Sequence, residues 1–262
     1  MCRVWGERPE ERELEWFYER NPVRPASVLL GEDGDGAVVA TAAIAFQRMS
    51  IAGEEVEVGM PLRVATDPAH RGKGIFAALQ RENEARVAAL GVPLLLTVPN
   101  AASAPVFLNR LGWSPLAPLR VWARPHLLRT RSRSAVVERF AGIAPEAAGG
   151  DRVLRDTAWL NWRFADAPRP YTLLSGGGYA VVGARGHFAV LAALEGGLLG
   201  DVAGVARGPA VLAAPPPWQR RRFILAGYLP TQRTFTVLGK ALAPGRSVPR
   251  RPHFDLGDLD FF

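Results

Sequence analysis

The stretch that decides the fold is "VATDPAHRGKGIF", residues 64–76, which lies between a strand-like run and an amphipathic, helix-like run. Gly72 and Gly74 permit a tight turn and leave space for a ligand beside the backbone N–H groups. The N-terminus of the following helix carries partial positive charge, and Arg71 and Lys73 add two cations. The stretch therefore predicts a strand-to-helix corner that binds an anion such as pyrophosphate.

This corner differs from the two best-known phosphate-binding loops. It lacks the Lys-Ser or Lys-Thr pair of a nucleotide-hydrolysing P-loop, and it lacks the third glycine of the dinucleotide-binding fingerprint. On the residues alone, a glycine turn with solvated basic side chains remains the alternative.

Composition limits the class of protein. The chain has 262 residues, 48% of them hydrophobic, enough for one large or two small domains with a substantial core. Its single cysteine, Cys2, excludes an intrachain disulfide, and no run is long and apolar enough to span a bilayer, so we expect a cytoplasmic protein without membrane contact. The net charge of +7 favours anionic partners without separating nucleic acid from a phosphorylated ligand.

Strand-like and helix-like runs alternate around the corner. The helix after it is followed by the buried strand "PLLLTV", the helix "APVFLNRLG" and a strand near "LRVWA". This order predicts an α/β unit.

The segments "VATDPAHRGKGI", "LLLTVPN" and "FLNRLGW", in this order and spacing, resemble the GNAT superfamily of acyl-CoA-dependent N-acetyltransferases over roughly residues 25–125. The resemblance implies that acetyl-CoA is the acyl donor. It assigns cofactor binding to the strand before the loop, the loop itself and an asparagine after the next strand: Val64, Ala65, Thr66, Arg71, Gly72, Lys73, Gly74, Ile75 and Asn100.

Two positions depart from the family pattern. Phe76 stands where many members have Gly or Ala, and we expect it to pack beneath the helix rather than crowd the phosphates. Leu108 stands where many members have a tyrosine that protonates the departing thiolate. The tyrosines available as substitutes are Tyr18, Tyr171, Tyr179 and Tyr228.

An amine that attacks a thioester must be neutral, so the site needs a base, directly or through water. The resemblance points to a carboxylate on the strand before the loop, which makes Glu57 a candidate, with a solvated strand residue as the alternative. It also implies that a strand amide near Val64 donates a hydrogen bond to the thioester oxygen. A second candidate base is the C-terminal carboxylate of Phe262, because some tandem GNAT proteins draw this group into the active site; the alternative is a packed acidic tail.

The second half of the chain repeats motifs of the first. "WFYERNPVRPASVLL" from Trp16 matches "WRFADAPRPYTLL" from Trp162, and "RLGWSP" is echoed by "LAGYLP". The second copy lacks the Arg-Gly-Lys-Gly corner, so we expect it to bind no acetyl-CoA.

We therefore predict an α/β fold of two tandem GNAT-like mixed-sheet domains, the second degenerate. The predicted boundaries are 1–125 for the catalytic domain, 126–150 for a linker and 151–262 for the second domain with its acidic and aromatic tail.

The leading functional hypothesis is an acetyl-CoA-dependent N-acetyltransferase that acts by direct transfer on a primary amine, with a small cationic molecule or an aminosugar favoured. A non-catalytic acyl-CoA sensor is the alternative, because of Leu108. A nucleic-acid-binding module ranks last, since Arg129, Arg131 and Arg133 lack interleaved aromatic residues. No metal is expected, because the four histidines have no metal-ligand spacing.

Overall fold

The computed structural model describes residues 10–126, 132–145 and 149–259. In chain order the strands are β1 (Ser27–Glu32), β2 (Val38–Ile51), β3 (Glu54–Thr66), β4 (Leu94–Thr97), β5 (Ser114–Pro115), β6 (Leu119–Pro125), β7 (Ala135–Val137), β8 (Arg152–Val153), β9 (Thr172–Ser175), β10 (Gly178–Arg185), β11 (Phe188–Gly196), β12 (Ala210–Ala213), β13 (Leu229–Phe235) and β14 (Leu238–Ala241). The helices are α1 (Glu11–Tyr18), α2 (Ile75–Ala89), α3 (Ala104–Arg110), α4 (Thr157–Leu160), α5 (Val202–Val205) and α6 (Arg220–Leu225), with a π-helical turn at Asn161–Ala165.

The chain divides into two compact units. The first contains the residues up to 117 together with 236–250, and the second contains 118–235 together with the residues from 251 onward. No helix among the described residues combines the length and the hydropathy that a membrane crossing requires.

The first unit is a mixed sheet with helices packed against it. Its strands follow the order β1-β2-β3-β4-β14-β5, and β3 and β4 are the parallel pair of this path. Helix α2 connects β3 to β4, as a parallel connection requires, and packs on β1 and β2. Its core includes Ile44, Phe46, Val87, Leu95, Phe107 and Trp113.

The second unit repeats this pattern. Its seven-stranded sheet has the order β13-β6-β12-β11-β10-β9-β7, and β11 and β12 are its parallel pair. The path β9-β10-β11-β12-β6-β13 therefore matches the path of the first unit strand for strand, in order and in direction. The predicted α/β class with two tandem mixed-sheet domains is confirmed.

The division into units differs from the predicted boundaries. The strand beside β4 is β14, from the far end of the chain, and the strand beside β12 is β6, from the end of the predicted first domain. Strand β7, inside the predicted linker, pairs with β9. A sequence repeat shows where each copy begins, but pairing between distant strands depends on tertiary contacts. Of the arginines considered for nucleic-acid binding, Arg129 and Arg131 lie outside the described residues.

An ion pair holds β14 in the first unit. The Lys240 ammonium donates to Glu84 Oε2 at 2.6 Å and to the carbonyl oxygen of Leu111 at 2.7 Å. Glu84 is buried on α2, so removal of Lys240 would leave its carboxylate without this cation in the core.

Candidate active site

The candidate site begins at an irregularity in β3. The pairing of β2 with β3 shifts register between Thr41 and Ala43, and Arg63 adopts a φ of 49°, a left-handed conformation that is uncommon for a residue with a side chain. Arg63 Nη2 donates to Glu13 Oε1 at 2.9 Å, and its guanidinium carbon lies 4.1 Å from the centre of the Phe17 ring. Helix α1 thus holds the bulge in place through the Glu13 carboxylate and the Phe17 ring, which both contact the Arg63 guanidinium.

Strands β3 and β4 part after Gly59, before β3 reaches the bulge. Among the described residues their ladder consists of Val58 with Leu94 and Gly59 with Leu95. A Cβ at Gly59 would lie 2.6 Å from the Leu95 side chain, so glycine permits this close approach. The separation of the strands opens a cleft of about 770 Å³ in the first unit.

The cleft brings together nearly all the predicted cofactor residues. Those that line it are Val64, Ala65, Thr66, Arg71, Gly72, Gly74, Ile75 and Asn100. Lys73, from the same loop, is not among the lining residues. The chain therefore places a strand backbone, a glycine loop and a helix N-terminus around one cavity.

The loop is shaped by an aspartate and two glycines. Asp67 Oδ1 accepts from the N–H of Ala69 at 2.9 Å and begins a short 3-10 turn. Gly72 has a φ of 78° and Gly74 one of 79°. A Cβ at either position would have no other atom within 4 Å. Glycine is therefore required here by the positive φ and not by close packing against other residues, and its lack of a side chain leaves the cleft open.

The first turn of α2 supplies hydrogen-bond donors to this cavity. The helix is 15 residues long, and its N-cap, Gly74, has no side chain that could satisfy the N–H groups of the first turn. Ile75, Phe76 and Ala77 of this turn line the cleft. Arg71 adds a guanidinium whose Nε donates to the Thr66 carbonyl oxygen at 3.2 Å. This arrangement suits a phosphate or pyrophosphate.

Asn100 also lines the cleft and has a local role. Its Oδ1 accepts from the N–H groups of Ala102 at 3.0 Å and Ser103 at 2.9 Å, which shapes the turn before α3. The amide NH₂ group is thus the part of this side chain that remains for a ligand.

Phe76 packs against α3, as expected, and it also lines the cleft. The ring centres of Phe76 and Phe107 lie 5.4 Å apart, edge to face, and the ring centres of Phe107 and Trp113 lie 4.9 Å apart. Trp113 Nε1 in turn donates to Glu84 Oε1 at 2.9 Å. These aromatic contacts hold the first turn of α2 against α3.

The structure does not bring Glu57 to the cleft. It lies seven residues before Val64 on β3, about 20 Å along an extended strand. Arg24 engages both of its carboxylate oxygens, with Nε 2.8 Å from Oε1 and Nη2 3.1 Å from Oε2. A base at this position would have to leave that ion pair. The other candidate base, the carboxylate of Phe262, lies outside the described residues.

The structure gives no tyrosine substitute for Leu108 among the residues that line the cleft. Tyr179 and Tyr228 are buried in the second unit. Burial raises the pKa of Tyr228 to about 12, against a smaller opposing effect of Arg124, and burial also raises the pKa of Tyr179. Tyr171 packs its ring against Gly183, also in the second unit.

Four polar residues of the cleft went unpredicted: His70, Ser103, Asn109 and Arg110. Asn109 and Arg110 share a helix face with Val106, at spacings of three and four residues. This periodicity was readable in the sequence, but the sequence alone did not show that this face of α3 forms a wall of the cleft.

Residues 1–116 match the family model described as an acetyltransferase (GNAT) domain. This segment carries the bulged strand, the glycine loop and α2. This part of the chain is therefore similar to a GNAT acetyltransferase domain. No curated protein matches the sequence.

Solved structures share the fold beyond the GNAT domain. A GCN5-related N-acetyltransferase from Anabaena variabilis is similar over 92% of this chain and 68% of its own, with 11% identity and a TM-score of 0.65. Eis1 from Mycobacterium abscessus is similar over 92% and 69%, with 14% identity and a TM-score of 0.60. A GCN5-related N-acetyltransferase from Kribbella flavida is similar over 82% and 60%, with 16% identity and a TM-score of 0.61. The chain thus spans about two thirds of the length of these structures.

Proposed function

We propose that the GNAT domain is an acyl-CoA-dependent N-acetyltransferase, with acetyl-CoA as donor and a primary amine as acceptor. The observation that carries the proposal is the cleft, in which a glycine loop, an uncapped helix N-terminus and the separated end of β3 surround one cavity. A CoA ester has a pyrophosphate for the loop and an extended amide-containing arm for a strand backbone, so its parts match these groups in kind.

Each group has a proposed role. The loop residues Arg71 to Ile75 and the first turn of α2 would hold the pyrophosphate, and the backbone from Val64 to Thr66 would bind the pantetheine arm. The Val64 amide would donate to the thioester oxygen as negative charge develops there. In the transfer, the amine nitrogen forms a bond to the acyl carbon and loses a proton, the carbon–sulfur bond breaks, and the thiolate takes a proton.

The proposed acceptor is a small cationic amine or an aminosugar, as the sequence hypothesis has it; the acidic residues of β3 do not line the cleft and pair with arginines, so they do not support this choice. We further propose that the protein acts in the cytoplasm on a small molecule, without a nucleic-acid or membrane partner. The proposed transfer requires no metal ion.

A second candidate function is a non-catalytic sensor that binds an acyl-CoA and reports it to a partner. The observation that favours it is Leu108, a side chain that cannot protonate a leaving thiolate, at the position of the family tyrosine. The sensor and the enzyme share the same donor site, so a binding experiment tests them together and a turnover experiment separates them.

The test is calorimetric titration of acetyl-CoA into the wild-type chain and into Gly74→Asp. We expect the variant to bind at least about thirtyfold more weakly, because its carboxylate lies beside the pyrophosphate. The matched control is Gly74→Asn, which has the same size and the same left-handed backbone requirement without the charge, and which should retain most of the affinity.

Binding and turnover together separate the enzyme from the sensor. If the wild-type chain binds acetyl-CoA and a panel of amines causes release of free thiol, the enzyme is supported; binding without thiol release supports the sensor. Absence of acetyl-CoA binding by the wild-type chain would remove both.

A further inference from the structure

Arg110 is a cation of the cleft that the proposed pyrophosphate site does not use. It is the last residue of α3, and it lines the cavity together with Val106 and Asn109 from the same helix face. This face runs beside the first turns of α2, because Phe107 contacts Phe76. Arg110 thus lies in the wall next to the phosphate-binding end of α2.

The backbone of Arg110 is anchored while its guanidinium is available. Arg81 Nη2, from the second turn of α2, donates to the Arg110 carbonyl oxygen at 3.0 Å. Within the part of the chain that the structure describes, the Arg110 guanidinium has no hydrogen bond or ion pair. Other arginines of this unit do have carboxylate partners, as Arg24 has Glu57 and Arg63 has Glu13.

The proposed donor has one more anionic group than the loop can serve. A CoA ester carries a pyrophosphate and a separate phosphate on the 3′ oxygen of its ribose. The loop, Arg71 and the N–H groups of α2 are matched to the pyrophosphate, which leaves the 3′-phosphate without a partner. An arginine suits this role, because its planar guanidinium can donate two parallel hydrogen bonds to a phosphate.

We propose that Arg110 binds the 3′-phosphate of the acyl donor and makes the site selective for CoA esters over their 3′-dephospho forms. The proposal rests on the proposed function, since it concerns the same cleft. Arg110 is thus a selectivity residue outside the loop. Both forms of the donor would make the pyrophosphate contacts, and only the form with the 3′-phosphate would bind the Arg110 guanidinium.

The experiment measures the affinities of acetyl-CoA and 3′-dephospho-acetyl-CoA for the wild-type chain and for Arg110→Gln by calorimetry. We expect the wild-type chain to prefer acetyl-CoA by about tenfold, in the range of an exposed charge-assisted contact. In Arg110→Gln the affinity for acetyl-CoA should fall by about the same factor, and the affinity for the dephospho form should stay unchanged. The matched control is Arg86→Gln, an exposed arginine of α2 that pairs with Glu82 and does not line the cleft.

Three results would overturn the inference while leaving the proposed function intact. These are a wild-type chain that binds both ligands equally, an Arg110→Gln variant that loses affinity for both to the same extent, and a variant that loses affinity for neither. If the wild-type chain binds neither ligand, the proposed function fails and this inference fails with it.

Discussion

The first corner, residues 64–76, and the second corner, residues 194–206, occupy equivalent places in the two sheets. Each begins the connection from the third strand of its path to a parallel fourth strand. In the first corner a Cβ on Gly72 or Gly74 would meet no atom within 4 Å. In the second, a Cβ on Gly196 would lie 2.3 Å from the carbonyl oxygen of Gly177. The first corner opens on a cleft, whereas in the second Gly196 lies against the β9–β10 turn; a Cβ at Gly197 or Gly200 of the second corner would also meet no atom within 4 Å.

The polar groups of the two corners differ in the same way. In the second corner Leu198 and Leu199 are buried, and the Asp201 carboxylate accepts from Arg133 N at 2.7 Å and Ser134 Oγ at 2.6 Å. These hydrogen bonds lower the pKa of Asp201. The first turn of α2 has no side-chain cap, and α5, whose N-cap is Asp201, has none either, but only the first turn of α2 lines the cleft of about 770 Å³. Since the strand topology is the same in both units, the comparison teaches that local residues decide whether a corner is open: glycines beside a cleft in the first, buried leucines in the second.

The second unit contains a cluster of buried charges beside the end of β11. Arg155 is buried, donates through Nε to Asp258 Oδ1 at 2.9 Å and lies 3.1 Å from an oxygen of Asp255. Arg152 pairs with Glu195 at 2.7 Å. This cluster ties the segment after residue 251 to the second unit, which indicates a structural role.

The largest expected effect comes from Arg155→Met. Loss of the shared cation would leave the buried carboxylates of Asp255 and Asp258 without it, and we expect the free energy of unfolding to fall by about 3–5 kcal/mol. The control is Arg139→Met, which breaks an exposed pair with Asp166 and should cost less than about 1 kcal/mol. Thermal and urea denaturation measure both. Equal costs would show that the cluster does not stabilise the second unit.

The next effect compares one glycine from each corner, Gly196 at the end of β11 and Gly74 at the N-cap of α2. Gly196→Ala should destabilise the chain by about 2–4 kcal/mol, because its Cβ would collide with backbone and its φ is 74°. Gly74→Ala should cost about 1 kcal/mol from its left-handed backbone and should weaken acetyl-CoA binding. Denaturation and calorimetry on both variants provide the test. The comparison would break if Gly74→Ala were the more destabilising of the two.

The smallest effect concerns Tyr228, the second-unit counterpart of Trp113. Trp113 Nε1 has a hydrogen bond to Glu84, whereas the buried Tyr228 hydroxyl has no partner among the described residues. Tyr228→Phe should therefore change stability by less than about 1 kcal/mol at pH 7.

Alkaline pH sharpens this prediction. Burial raises the folded-state pKa of Tyr228 to about 12 from an ordinary value of 10, so its contribution to stability is complete below pH 10 and is lost as the pH rises through 12. A wild-type chain should lose up to about 2–3 kcal/mol more than Tyr228→Phe over this range. Urea denaturation from pH 7 to 12 measures the difference, with Tyr171→Phe as control. Parallel profiles for the wild-type chain and Tyr228→Phe would contradict it.

Several features of the site were predictable from local sequence. The glycine loop and the start of α2 follow from residues within one short stretch, because turn chemistry and helix capping depend on near neighbours. Packing of Phe76 follows from its place in an amphipathic pattern. The repeat around Trp16 and Trp162 indicated two similar units.

Other features were not predictable. The bulge at Arg63 depends on Glu13 and Phe17, which lie some fifty residues earlier in the chain. The position of Glu57 outside the cleft depends on where β3 and β4 part. Both are set by packing between distant segments.

The sequence by itself determined the α/β alternation, the corner at residues 64–76, the missing corner in the second copy and the repeat, because each depends on residues close together in the chain. Only the tertiary structure decided which strands complete each sheet and which side chains face the cleft. Strand β14 lies beside β4 because of backbone pairing and the contact of Lys240 with Glu84, 156 residues away. Such pairings depend on shape and charge across the folded core, and no local pattern encodes them.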